Sequence, residues 1–120
     1  MIEEFEEAVK YLSGTFGNAV FTAVIGSDGL PVTINMQHEM DKAKESAEIA
    51  LIFNDISKVS KVLNMGNFID MFFSTDKFEV VISNVNRDYF IVMIMEKPAN
   101  IGRARLEMNY AISKLRSKIS

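Results

Sequence analysis

Apolar and polar positions follow two different periods along this chain, and the changes between them outline a series of helices and strands. Over residues 2–14 apolar side chains recur every three or four positions, which predicts an amphipathic helix ended by Gly14 and Gly17. Two strands are expected next, at residues 18–25 and 30–37. The Asp28-Gly29 step between them predicts a hairpin turn, because glycine accepts positive φ at little steric cost.

The second half of the chain begins with its longest helical pattern, over residues 41–65. Asp41 is suited to cap this helix, and Gly66 is expected to follow its C-terminal end. Three apolar runs then predict strands at residues 68–74, 78–85 and 89–95. Their short polar connections predict antiparallel neighbours, and the third run is apolar enough for a central strand covered on both faces. A last helix is expected over residues 100–118.

This order of helix, two strands, helix, three strands and helix predicts a single α+β domain. Five strands are expected to form one antiparallel sheet with helices on both faces. The 120 residues suffice for one core, and their 48% apolar content is typical of a folded protein. The apolar side chains expected to face the helices include Phe21, Phe72, Phe73, Phe90 and Ile94.

Composition and charge exclude several classes of function. The net charge of -3 provides no general basic field for nucleic acid or an anionic membrane. The absence of cysteine excludes disulfides and thiolate metal sites. No apolar run approaches the roughly 20 residues of a membrane-spanning helix, and the acidic N-terminus is unlike a signal peptide. We therefore expect a cytoplasmic protein without membrane insertion.

No set of residues predicts catalysis, a cofactor or a metal. The glycine-containing turn lacks the Lys and the Ser or Thr that follow the last glycine of a phosphate-binding loop. His38 is expected in a polar surface loop, and the acidic residues Asp41, Glu45 and Glu48 are explained by helix capping and solvation. Five serines have no nearby His or Lys arranged as the base that would activate a nucleophile: Ser13, Ser27, Ser57, Ser60 and Ser74. We expect a protein that is not an enzyme.

The segments "FTAVIGSDGLPVTINM" and "PANIGRARLEMNYAISKL", taken with the order of elements, resemble the roadblock / dynein light chain family. The resemblance covers nearly the whole chain and includes the prokaryotic members that partner Ras-like GTPases. It implies a profilin-like sandwich that dimerises through the long helix and the strand after it, so that one sheet runs across two subunits. It also implies a small GTPase or a larger assembly as partner, and no catalytic motif.

Alternatives to a homodimeric GTPase regulator or scaffold remain open at this point. Profilin-like and PAS-like sandwiches can serve as small-molecule sensors, and an adaptor subunit could act without a GTPase. A heterodimer with a related chain is also possible. Arg87 is the one arginine expected on a protruding turn, but an ordinary solvated turn explains it better than a catalytic finger does.

The residues of the long helix form two stripes on different sides of it. At 100° per residue, one stripe is expected to cover the sheet: Ile49, Ile52, Phe53, Ile56, Val59 and Leu63. The other stripe is Ala47, Leu51, Asp55, Lys58 and Val62, and we call it the outer stripe. An antiparallel pair of these helices can place Leu51 opposite Val62 and Asp55 opposite Lys58, with the twofold axis between Ile56 and Ser57. The expected interface also includes the strand residues Phe68, Ile69, Asp70, Met71, Phe72 and Phe73.

Overall fold

The computed structural model of the protein describes residues 1–37 and 42–119. Its elements are α1 (Ile2–Thr15), β1 (Ala19–Gly26), β2 (Pro31–Met36), α2 (Lys42–Val62), β3 (Asp70–Ser74), β4 (Phe78–Asn84), β5 (Tyr89–Glu96) and α3 (Ile101–Ile119). This is the order that the sequence predicts. The expected loop residue His38 and the expected helix cap Asp41 lie outside the described residues.

The five strands form one antiparallel sheet in the order β2-β1-β5-β4-β3. β5 lies at the centre, and its residues from Phe90 to Met93 are all buried. The apolar run therefore has the central position, covered on both faces, that its composition predicts. β3 lies at an edge of the sheet and pairs only with β4 among the described strands. The first hairpin is also confirmed, with Gly29 at a φ of 89° in its turn.

One face of the sheet packs against α1 and α3. Phe5 and Leu12 of α1 share a buried cluster with Met93 of β5 and with Met108 and Leu115 of α3. In each helix the two residues are seven positions apart, so they lie on one side of the helix. The apolar periods of the first and last helices therefore predict the correct core faces.

The opposite face of the sheet is covered by α2. The ring of Phe53 stacks on that of Phe90 with the centroids 4.3 Å apart, and Phe68 meets Phe53 edge-on at 5.7 Å. Ile49 and Ala50 are buried in the same layer. The protein is thus an α+β sandwich with helices on both faces of its sheet, as predicted.

Two residues of α2 that were expected in the core are exposed. Val59 is 48% exposed and Leu63 is 63% exposed, whereas Ile49 and Phe53 are buried. No residue of α2 after Phe53 is buried. A helix of 21 residues is about 31 Å long, so its C-terminal half continues beyond the buried core. Phe72 of β3 was also expected to face the helices, but it is 42% exposed.

The C-terminal end of α2 also differs from the prediction, because the helix ends before Gly66. Asn64 has a φ of 56°, and its N–H donates to the carbonyl of Lys61 at 3.1 Å. The N–H of Met65 donates to the carbonyl of Ser60 at 2.8 Å. These two bonds form a Schellman motif in which Asn64 takes the left-handed position expected for glycine.

Candidate interaction surface

Within residues 1–37 and 42–119, no group of three or more His, Cys, Asp or Glu could hold a metal ion. The Ser60 hydroxyl donates to the carbonyl of Ile56, and the Ser74 hydroxyl donates to the carboxylate of Glu79, so both are engaged locally. No described helix has the length and apolar content needed to cross a membrane.

Exposed apolar side chains concentrate in the segment from α2 to β3. Seven of the 13 exposed large apolar residues of the described chain fall between residues 51 and 72. We call them the α2–β3 surface: Leu51, Val59, Val62, Leu63, Met65, Ile69 and Phe72. Scattered exposed apolar residues are normal in a soluble protein, but such a concentration in one short segment indicates an interaction surface.

The outer stripe predicted from the sequence is exposed along α2. All five of its members, Ala47, Leu51, Asp55, Lys58 and Val62, are exposed to solvent. The stripe points away from the sheet, because Phe53 and Ala50 on the opposite side of the helix are buried. The structure therefore leaves these residues available for a partner.

A second face of α2, which the sequence analysis assigned to the core, is covered only in part: Ile52 packs against the α2-side core, but Val59 and Leu63 are exposed. Ile52, Ile56, Val59 and Leu63 are spaced by four, three and four residues, as in the apolar seam of a coiled coil. Ile52 and Ile56 are half-buried, whereas Val59 and Leu63 are exposed. We call these four residues the lateral seam. Their spacing was visible in the sequence, but the position where the sheet stops supporting the helix was not.

Four of the six predicted strand residues lie on the edge strand β3, whereas Phe68 and Ile69 precede it. Met71 and Phe73 are half-buried, and Phe73 packs against the α2-side core. On the other face, Arg105 of α3 pairs with Asp70 at 3.0 Å and lies 5.3 Å from the centre of the Phe72 ring. The Arg105 side chain is 52% exposed, whereas that of Asp70 is 10% exposed. The cluster therefore ties the edge strand to α3.

On the face formed by α1 and α3, exposed side chains of the two helices pair with one another. The Tyr11 hydroxyl donates to the Glu107 carboxylate, and the ring of Tyr11 contacts that of Tyr110 with centroids 5.4 Å apart. Desolvation and this hydrogen bond raise the pKa of Tyr11. Lys118 pairs with Glu7 at 2.7 Å across the same two helices. The aromatic side chains here therefore have partners within the chain.

Arg87 lies on the β4–β5 turn, as the sequence predicts. The side-chain oxygen of Asn86 accepts hydrogen bonds from the backbone N–H groups of Asp88 and Tyr89. The carbonyl of Asp88 accepts one from the N–H of Ser27 at 2.8 Å, which ties this turn to the β1–β2 turn. Arg87 is therefore an exposed cation on a braced turn.

Comparison with solved structures places this geometry among known folds. The chain superimposes on Myxococcus xanthus MglB with a TM-score of 0.88, over 98% of this chain and 88% of that chain, at 16% identity. A roadblock/LC7 domain from Streptomyces avermitilis gives a TM-score of 0.80 over 99% and 97%, at 10% identity. The protein has a roadblock fold. No family model and no curated protein matches the chain.

Two further solved structures extend the roadblock comparison. The gliding protein MglB from Thermus thermophilus has a TM-score of 0.84 over 97% of this chain and 88% of that chain, at 13% identity. Profilin II from Acanthamoeba castellanii has a TM-score of 0.62 over 91% and 93%, at 16% identity. The roadblock fold of this chain is thus profilin-like, as the sequence resemblance implies.

Proposed function

We propose that this protein is a noncatalytic, homodimeric regulator or scaffold that binds a Ras-like small GTPase in the cytoplasm. The observation that carries the proposal is the α2–β3 surface, an exposed apolar segment on a roadblock fold. The sequence resemblance to prokaryotic roadblock proteins that partner Ras-like GTPases supports the choice of partner.

The position of β3 at the edge of the sheet supports the proposed homodimer. An edge strand presents unpaired N–H and carbonyl groups and can pair with another chain. In β3 this edge is combined with the exposed side chain of Phe72 and is preceded in the chain by the exposed Ile69. Antiparallel pairing of β3 with its copy about a twofold axis satisfies those groups and covers the apolar side chains.

Pairing through β3 also determines how the two α2 helices meet. A twofold axis perpendicular to the sheet leaves both copies of α2 on the same face, so they lie side by side. Each then presents a flank about 90° from its core-facing side. The lateral seam lies on such a flank, since Ile56 and Val59 are about 60° and 120° from Phe53 at 100° per residue. We infer that Ile52 faces Leu63 and Ile56 faces Val59 across the axis.

In this dimer the outer stripe remains exposed on top of the paired helices. Leu51 and Val62 provide apolar contact there, while Asp55 and Lys58 provide charge. We propose this surface as the docking site for the GTPase. The register predicted from the sequence, with Leu51 opposite Val62, is the alternative arrangement of the same two helices.

A small-molecule sensor has less support. A sensor with this architecture would hold its ligand between the sheet and a helix, in the layer between β5 and α2. The rings of Phe53 and Phe90 stack in that layer at a centroid distance of 4.3 Å, which is direct contact. This contact leaves no room for a ligand between those two rings.

The test is to mix the purified protein with each small GTPase of its own cell, loaded with GDP or with a nonhydrolysable GTP analogue. We expect one GTPase to co-elute in size-exclusion chromatography, with a preference for one nucleotide. Leu51→Asp should abolish this complex while the protein stays dimeric. Leu106→Asp is the matched control, because Leu106 is 67% exposed on α3 and Leu51 is 60% exposed. Failure of every GTPase to bind would contradict the proposal and favour an adaptor subunit.

A further inference from the structure

A cleft of about 440 Å³ lies on the side of α2 opposite to the lateral seam. Its walls come from α2, from the loop before β3 and from the β1–β2 and β4–β5 turns. Asn54, Ser57 and Lys61 of α2 line it, and they lie about 160° around the helix from the lateral seam. Side-by-side pairing of the two α2 helices therefore leaves this cleft open.

The charge of the cleft is opposite to that of the whole protein. Lys61 and Arg87 line it, and no Asp or Glu is among its described lining residues. The nearby acids Asp28 and Asp88 line a separate cleft beside β2. In a chain with a net charge of -3, these two cations form a local positive site.

The lining of the cleft also contains asparagine side chains. The side-chain N–H of Asn84 donates to the carbonyl of Phe68 at 3.2 Å, but its Oδ1 is buried with no partner among the described residues. That oxygen is enclosed by the protein, so it is not a contact for a ligand. Asn67 and Asn86 are exposed and add side-chain amides to the same lining. The cleft thus combines two cations with side-chain amide donors.

We propose that this cleft binds an acidic, extended segment of a partner protein. Carboxylates of the segment pair with Lys61 and Arg87, and its main-chain carbonyls accept hydrogen bonds from the side-chain amides of Asn67 and Asn86. A cleft of about 440 Å³ has room for several residues of an extended chain, whereas a small inorganic anion would fill only part of it. The role of Arg87 here is binding, and this site is separate from both the dimer contact and the outer stripe.

The test is an NMR titration of the isotopically labelled protein with the peptide acetyl-Gly-Asp-Glu-Asp-Gly-amide. We expect saturable shifts of the side-chain amide signals of Asn54, Asn67 and Asn86. The double substitution Lys61→Gln/Arg87→Gln should weaken binding by at least about tenfold, since charge-assisted hydrogen bonds are the strong ones. The control Arg103→Gln/Lys114→Gln removes the same charge from α3 and should leave binding unchanged.

Three outcomes would overturn the proposal. They are equally tight binding of the neutral peptide acetyl-Gly-Asn-Gln-Asn-Gly-amide, an equal loss of binding in the α3 control, and binding of inorganic phosphate where the acidic peptide does not bind. The first two would show that the two cleft cations do not recognise the segment, and the third would show a site for small anions only. Because the titration needs neither a GTPase nor the dimer, its result is independent of the proposed function.

Discussion

At the scale of the residue, Asn64 shows how one side chain sets the end of α2. The sequence predicts that the helix continues to a glycine, yet Asn64 adopts the positive φ itself. Asparagine is among the few residues other than glycine that visit this region readily. The Schellman bonds to Lys61 and Ser60 then complete the turn. The sequence prediction chose Gly66, because glycine has the stronger preference for positive φ. In the structure Asn64 ends the helix, because it is the residue that directly follows the last helical turn.

This conformation leads to a stability prediction. Asn64→Val should lower the free energy of unfolding by about 1–2 kcal/mol, because a β-branched residue is strained in the left-handed region. Asn64→Gly should be close to neutral, since glycine removes that strain but adds entropy to the unfolded chain. Urea unfolding followed by circular dichroism at one protein concentration measures both. Asn67→Val is the control, and an equal loss at Asn67 would contradict the explanation.

At the scale of the element, the sequence predicts the type and order of every helix and strand because each carries a clear apolar period or turn residue. The Asp28-Gly29 turn and the apolar run of β5 are examples. Periodicity also identifies Ile49 and Phe53 as core residues of α2. It cannot show that the helix is exposed further along, at Val59, because that exposure depends on where the sheet ends beneath the helix. A period identifies a face of a helix, and tertiary structure decides what covers that face.

The two possible registers of α2 can be separated by cysteine pairs, because the chain has no cysteine of its own. We expect Ile52→Cys/Leu63→Cys to form disulfide-linked dimers under mild oxidation, and Leu51→Cys/Val62→Cys to do so poorly. Both pairs are 11 residues apart, about 16 Å along the helix, so neither can close within one chain. Nonreducing electrophoresis reads the result.

Each pair of cysteine substitutions is the control for the other. Efficient linking of Leu51→Cys/Val62→Cys would support the register predicted from the sequence and contradict the lateral seam. If neither pair links a protein that is dimeric in solution, the helices do not meet in either register.

At the scale of the whole molecule, the outer stripe can be predicted from the sequence, whereas the cleft cannot. The outer stripe lies within one helix, so its spacing is visible in the printed residues. The cleft joins α2 to two turns and a loop, with Lys61 and Arg87 separated by a helix end and two strands. No local pattern relates such residues, and only the packing of α2 against the end of the sheet brings them together.

The last prediction concerns the dimer itself and is decided by Leu63. Leu63 lies on the lateral seam and is 63% exposed in the single chain, so burying it against a second copy is favourable by the hydrophobic effect. Leu63→Asp would place a charge in that contact and should convert the dimer to a monomer at micromolar concentration, as measured by light scattering. The thermal midpoint of the unsubstituted protein should rise with concentration, and this dependence should vanish in Leu63→Asp. Leu106→Asp changes a similarly exposed leucine of α3 and should keep the dimer mass. A stable monomer of the unsubstituted protein, or an unchanged dimer of Leu63→Asp, would contradict pairing through the lateral seam.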